Sequence, residues 1–257
     1  RCAPATTPSD WPPAQSKGQS LRVVAGAAAN GAALVVSKDI TSPDQLKGKK
    51  LATPSLGNTQ DVALRYWLRQ QGYTTTTEGG GDVSIMPQDN ATALQAFSAG
   101  EIDGAWVPEP WATRMVAEGG GHVLVNEADT WPDKEFVVTN VIVRTDFLDQ
   151  HPEQVKAVLA GLLDSLDYIA ASPDEAKQAV NDQLEALTGK PMDSAVLDAA
   201  WKNVTFTYDP LSSTLREGAA HAVDVGLLES PDLSGLYSLD ILNGLLSERG
   251  EEGVSDK

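Results

Sequence analysis

Cysteine is all but missing from this chain. Cys2 is the single one in 257 residues, which excludes an intrachain disulfide, a multi-cysteine zinc site and a Cys-x-x-Cys redox pair. Histidine is nearly as scarce: His122, His151 and His221 are scattered, with no partner at metal-ligand spacing, so neither a metal nor a cofactor site is expected. Basic residues are outnumbered, 19 Lys and Arg against 36 Asp and Glu. The resulting net charge of -17 would repel the phosphates of DNA or RNA, and nucleic acid is excluded as a partner. No run approaches the roughly 18 to 20 apolar residues of a membrane span, since even 155–169 is broken by Asp164 and Asp167. A Gly-x-Ser-x-Gly elbow is absent, and the glycine triplets 79–81 and 119–121 lack the Lys-Ser/Thr ending of a phosphate loop and read as turns.

What is present is an α/β pattern. At 41% hydrophobic and 21% charged residues, the chain can bury a sizeable core, as one large domain or as two lobes. Residues 1–20 hold Pro4, Pro8, Pro12 and Pro13 among Thr and Ser, too little apolar surface to offset ordering entropy, and read as a disordered tail. Cys2 before this tether-like run fits a lipid-bearing cysteine, but Arg1 stands where a lipoprotein processing site carries a small residue, which favours a plain unstructured end. Runs 21–26 and 32–36 are β-rich and separated by a small-residue turn at 27–31. Strand–turn–helix units follow: strand 50–53 with helix 58–71, strand 83–86 with helix 91–99, strand 104–107 with helix 109–118. Strands at 123–126 and 136–144 complete the set, and the alternation predicts a largely parallel sheet covered on both faces. Beyond Arg144 helix follows helix, at 152–171, 173–187, 193–203, 212–228 and 238–247.

Candidate binding residues lie where strands end. Thr53 runs into Gly57, Asn58 and Thr59 and then a helix, which gathers free backbone N–H groups and a partial positive charge suited to a sulfonate, nitrate or carboxylate. Plain N-capping by Asn58 is the competing reading. One unit later Gln88, Asp89 and Asn90 either line a cleft or cap the next helix. Trp106, Glu109 and Trp111 sit at the carboxyl end of another strand, where ligands of open α/β sheets collect, although one of the two tryptophans is expected to be core. Asn140, a polar residue inside the apolar run FVVTNVIV, faces a cleft or hydrogen-bonds across a hinge. The acidic surface does not argue against an anionic ligand, because surface charge is screened within about 8 Å.

The segments GAALVV at 31–36, ITSPDQLKGKKLAT at 40–53, SLGNTQD at 55–61, GEIDGAWVPEPW at 100–111 and VRTDFLDQHP at 143–152 occur in one order from Leu21 to about Gly226. In that order and spacing the sequence resembles the periplasmic or lipid-anchored binding proteins for nitrate, aliphatic sulfonates and taurine, a family that also binds thiamine-pyrimidine precursors. The resemblance implies a two-lobed α/β architecture, the periplasmic-binding-protein type II fold, with lobe II at 37–138 and lobe I at 21–36 plus 139–257. It implies a small anionic ligand held in the interlobe cleft, closure about a hinge, and no catalysis. It further implies a monomer that delivers its solute to the membrane permease of a bacterial ABC importer, in the periplasm or lipid-anchored at the outer face of the cell membrane. On that reading 34–36 is the outward crossing and 139–143 the return. Family members carry about 70 further residues before the counterpart of Leu21, so lobe I is expected to be incomplete and the chain a fragment, with a minimal variant as the alternative. Leu159, Leu162, Leu163, Leu166, Val196 and Leu197 are then expected to be partly exposed. An enzyme on the same scaffold is the competing function, for which the sequence offers only Glu109 and Asp89.

Overall fold

A computed structural model describes residues 20–256. The tail expected at 1–20, with Cys2, lies outside the described residues apart from Ser20. Two sheets organise the chain. The first contains β1 (Leu21–Asn30) between β7 (Val137–Arg144) and β8 (Val204–Phe206), all antiparallel. The second has the order β4 (Ser84–Pro87), β3 (Lys50–Thr53), β5 (Gly104–Pro108), β2 (Ala32–Val36), β6 (His122–Asn126).

The expected turn at 27–31 is replaced by strand almost to its end. β1 continues through Ala27, Ala28 and Ala29, because small side chains let neighbours close over both faces of a central strand. At Gly26 the fit is tight enough that a Cβ would lie 2.1 Å from the Asp209 carbonyl oxygen. The chain then changes sheet at Asn30 and Gly31, both in the left-handed region, at φ 63 and 77. β2 pairs along its whole length with β5 and from Ala33 to Val36 with β6, so the passage between sheets lies before it and not within 34–36.

The largely parallel sheet is also corrected. β3 runs parallel to β4 and β5, but β2 is antiparallel to both its neighbours, Ala32 facing Pro108 and Val36 facing Gly104. β2 arrives directly from the other sheet and enters at the edge where β3 and β5 end, so it has to run against them. That edge gathers Gly31 and the loops after β3, β4 and β5.

Helices α1 (Thr59–Gln70), α2 (Asn90–Ser98) and α3 (Trp111–Ala117) cover the five-stranded sheet. Alternation along β2 and β5 divides the core: Val35, Ala105 and Val107 pack under α2 and α3, while Leu34, Val36 and Trp106 pack under α1. Past α4 (Thr145–Gln150), α5 (Pro152–Ala171) and α9 (Asp240–Arg249) lie on one face of the three-stranded sheet, and α8 (Ser212–Asp224) with residues 233–239 on the other. The intervening helices are α6 (Pro173–Thr188) and α7 (Ser194–Trp201).

The predicted exposure of this helical half is not found at half of the named residues. Leu159, Leu163 and Val196 are buried and Leu162, Leu166 and Leu197 half-buried. Leu242, Leu245 and Leu246 of α9 complete the core against α5, and α7 packs on α3. Among the described residues no helix is long and apolar enough to cross a membrane, and no cluster of side chains is arranged to hold a metal.

Candidate functional site

A cavity of about 300 Å³ opens between the two sheet units. One wall is the start of α1, with Gly57, Thr59, Val62 and Ala63; the opposite wall is α8, with Leu215, Ala219 and His221. The chain segment returning from β6 to β7 closes it with Glu127, Trp131 and Phe136. The walls touch outside the cavity as well: the Tyr66 ring stacks on His221 with centroids 3.5 Å apart, and the Arg69 guanidinium donates to the Asp224 carbonyl.

The amino end of α1 is built around Asp61. Asn58 caps the helix, its Oδ1 accepting from the Asp61 amide at 2.9 Å. The Asp61 carboxylate is buried and accepts from the Thr53 hydroxyl at 2.8 Å, the Gly57 amide at 2.9 Å and Arg65 Nε at 2.9 Å. Half of the anion-binding logic read from the sequence is thus already used inside the protein: the Gly57 amide has its acceptor, and the helix end faces an internal carboxylate. The amides of Thr59 and Gln60 remain as donors of the first turn, beside the Thr59 hydroxyl, which is buried without a partner.

Glu127 follows β6 in a turn that Asn126 starts by accepting from the Ala128 amide at 3.2 Å. Its side chain is 1% exposed and accepts from Trp106 Nε1 at 2.6 Å. Burial pushes its carboxyl up to about 7, while the indoles of Trp106 and Trp131 act in the opposite direction. Trp131 lies parallel to Phe136, centroids 5.8 Å apart, and 5.3 Å from His221. Burial lowers the His221 pKa and favours its neutral form.

The other candidates are distributed differently. Trp106 does not reach the cavity; it lies fully buried in the core on β5 and acts only through Glu127. A central strand covered on both faces leaves its side chains no route to a cleft. Glu109 also lies elsewhere: it accepts from the Asn203 carboxamide at 2.6 Å and from the Thr113 amide and hydroxyl at 3.1 and 3.0 Å, lining a small separate crevice. Trp111 is half-buried against the α2–α3 core, with the Arg114 guanidinium 4.7 Å from its ring.

Asp89 caps α2, held below the ordinary carboxylate range by the Thr92 hydroxyl and amide. Gln88 and Asn90 flank it, each with one buried side-chain atom lacking a partner. These three leave the same sheet edge as Gly57 but do not line the cavity. Asn140 is 2% exposed, both its polar atoms unpartnered, opposite Gly26 in the three-stranded sheet. The structure therefore brings Gly57 and Thr59 to the cavity, with Asn58 as the cap behind them. Glu127, Trp131, Phe136 and His221 were not singled out from sequence. One signal pointed toward Glu127: the indole N–H of a tryptophan in a core strand needs an acceptor.

Comparison with known proteins adds a family. The NMT1-like family profile matches residues 6–182. The taurine-binding periplasmic protein of Escherichia coli is 33% identical over 168 residues, 63% of this chain and 49% of that protein, so this chain spans about half the length of that relative. A putative binding protein of Brucella abortus is 26% identical over 232 residues, 86% of this chain and 68% of the relative. Among solved structures, the alkanesulfonate-binding protein of Xanthomonas axonopodis pv. citri bound to MOPS superposes with a TM-score of 0.72 at 17% identity, over 91% of this chain and 79% of that one. The periplasmic nitrate-binding protein of Synechocystis PCC 6803 gives 0.73 at 16% identity, over 93% and 70%. These two likenesses establish a shared two-lobed α/β fold, and the relatives named are binding proteins, by name for taurine, alkanesulfonates and nitrate in three of the four.

Proposed function

Because the chain belongs to the NMT1-like family, we propose that it is the solute-binding component of a bacterial ABC importer, capturing a small organic or inorganic acid of the aliphatic sulfonate, taurine or nitrate type. It works outside the cytoplasm, as a monomer, and delivers its ligand unchanged to a membrane permease. The observation that carries this reading is the cavity between the two sheet units, with the first turn of α1 on one wall and α8 on the other. A ligand seated there touches both units at once, and contact with both stabilises the closed arrangement over an open one. The Thr59 and Gln60 amides and the Thr59 hydroxyl supply the oxyanion donors. On this reading the lobes divide where the chain changes sheet, near Asn30–Gly31 and again in 127–136.

Titration calorimetry with a panel of alkanesulfonates, taurine, nitrate and bicarbonate tests the proposal. One member should bind at a single site and be recovered chemically intact. Failure of every acid in the panel to bind would overturn it.

A further inference from the structure

The chain that follows α9 turns back along it. Gly250 takes the left-handed region at φ 73, its amide donates to the Ser247 carbonyl and the Glu251 amide donates to the Leu246 carbonyl, which closes the last turn and reverses direction. Asn243, further back along α9, meets the returning segment with both halves of its carboxamide. Nδ2 donates to the Val254 carbonyl at 3.0 Å, and Oδ1 accepts from the Val254 amide at 2.8 Å. One side chain thereby pairs with the backbone of one residue as a neighbouring strand would. Gly253 permits the approach, because a Cβ there would lie 3.0 Å from Asn243 Oδ1.

The segment so held binds α8 in turn. Ser212 is buried, and its Oγ donates to the Ser255 carbonyl at 3.2 Å; Arg216 Nη2 donates to the Asp256 carbonyl at 2.6 Å. Four residues apart, Ser212 and Arg216 share one face of the helix. Leu215 and Ala219 on the adjoining face line the cavity, and His221 further along stacks on Tyr66 of α1. Val254 packs against both cores of the three-stranded sheet, the one with the α9 leucines and the one with Leu215. The start of α8 needs such a hold: Leu211 before it is left-handed at φ 44, and no side chain caps its first turn among the described residues.

From this chain of contacts we infer that Asn243 is a positioning residue for the cavity: through residues 253–256 it seats α8 against α1, at the separation that closes the cavity between them. The hold is local. A crevice of about 460 Å³ lies between Glu252–Val254 and the stretch Phe206–Asp209, so water reaches beneath the strap, and the four bonds above together with Val254 keep it in place. The value of this seating for solute capture rests on the solute-binding reading. The seating of α8 against α1 does not.

Two variants of the full chain test the inference without any solute. N243A removes both bonds to Val254, and G253A keeps the carboxamide but forces it away from the strap. Amide exchange is followed along α8, and the His221 ring is titrated by proton NMR, its signal identified by its loss in H221Q. Burial lowers the His221 pKa from 6.5 in the wild type, against the opposing pull of Glu217 and Asp224. In both variants exchange through the first half of α8 should quicken about tenfold, and the His221 titration should move up toward 6.5 as water enters between α8 and α1. A purely structural role would leave His221 where it is, because that contact lies at the far end of the helix from the strap. Unchanged titration therefore overturns the proposal, whether exchange in α8 stays slow or quickens together with the whole three-stranded sheet. Should N243A fail to fold, G253A alone carries the same decision. Calorimetry on the acid panel remains a separate experiment, so either result here leaves the solute-binding reading standing.

Discussion

Asn30 and Phe136 hold each other at the point where the chain passes between its two sheets: the Asn30 amide donates to the Phe136 carbonyl at 3.0 Å, and the Phe136 amide donates to Asn30 Oδ1 at 3.2 Å. The outgoing and returning passages therefore share one clasp. Asn30 adopts a left-handed conformation that asparagine tolerates better than most L-residues, because its short side chain bonds locally. N30G keeps that conformation and loses the side-chain bonds, for about 1 kcal/mol of stability. N30A loses the bonds and adds backbone strain, for about 2–3 kcal/mol. Urea denaturation of the two variants checks this, and equal losses would show that the strain at Asn30 is unimportant.

A second tie joins the units at Glu109 and Asn203. Glu109 Oε1 accepts from the Asn203 carboxamide at 2.6 Å, while its remaining bonds are to Thr113 within its own unit. Replacing Asn203 with alanine therefore cuts only the link between units and leaves α3 capped. Ligand affinity should fall about fivefold, the equivalent of one hydrogen bond of roughly 1 kcal/mol, and the free protein should expand in small-angle scattering. Unchanged affinity together with an unchanged radius would rule out a role in closure.

The ion pair of Asp61 and Arg65 is fully buried, with exposures of 0% and 1%. Removing one partner strands the other, so D61N should cost about 3–5 kcal/mol even though it preserves shape. The double variant D61L/R65M removes both charges and should be distinctly milder. Chemical denaturation decides between them. A loss under about 1 kcal/mol in D61N would mean that the pair is hydrated in solution and not isolated from water.

Much of this architecture could be read from local signals, and the exceptions have physical causes. The helix at 152–171 was legible to the residue because Pro152 opens it and Pro173 prevents its continuation. The three strand–turn–helix units were likewise visible in their apolar periodicity. The direction of β2 was not, since antiparallel pairing depends on where the chain comes from and not on its composition. β8 was missed because three residues, Val204–Phe206, carry no periodicity; only their pairing with Ala28, Ala29 and Asn30 makes them a strand. At the site, Gly57 and Thr59 were legible from helix-start chemistry. Glu127 was not, because it sits in a single irregular turn and derives its environment from Trp106 and Trp131, far away or unpatterned in sequence. That one of Trp106 and Trp111 belongs to the core was legible, but not which: Trp106 is the buried one because both faces of its central strand are covered.

Glu127 should leave a signature in the pH dependence of stability. Its carboxyl has an ordinary value of 4.5 and is raised by burial to about 7 in the folded protein, so between those values the folded state holds a proton that the unfolded state has lost. Stability then falls as pH rises through this window, by roughly 3 kcal/mol in all, and no further change from this group occurs above it. His221 acts oppositely: its folded pKa is lowered from 6.5, so the unfolded chain takes up the proton first and stability rises with pH up to about that value. Below pH 6.5 the two slopes oppose each other, which makes the wild-type curve alone ambiguous. The difference between wild type and E127Q is not, because His221 is common to both. E127Q should be the less favoured protein, or at best equal, near pH 5, and should gain on the wild type steadily up to about pH 7, after which the gap should stay constant. Guanidinium titrations at four or five pH values supply the curve. A gap that does not change with pH would mean that Glu127 is ionised in the folded protein throughout, held as a carboxylate by solvent reaching it through the cavity.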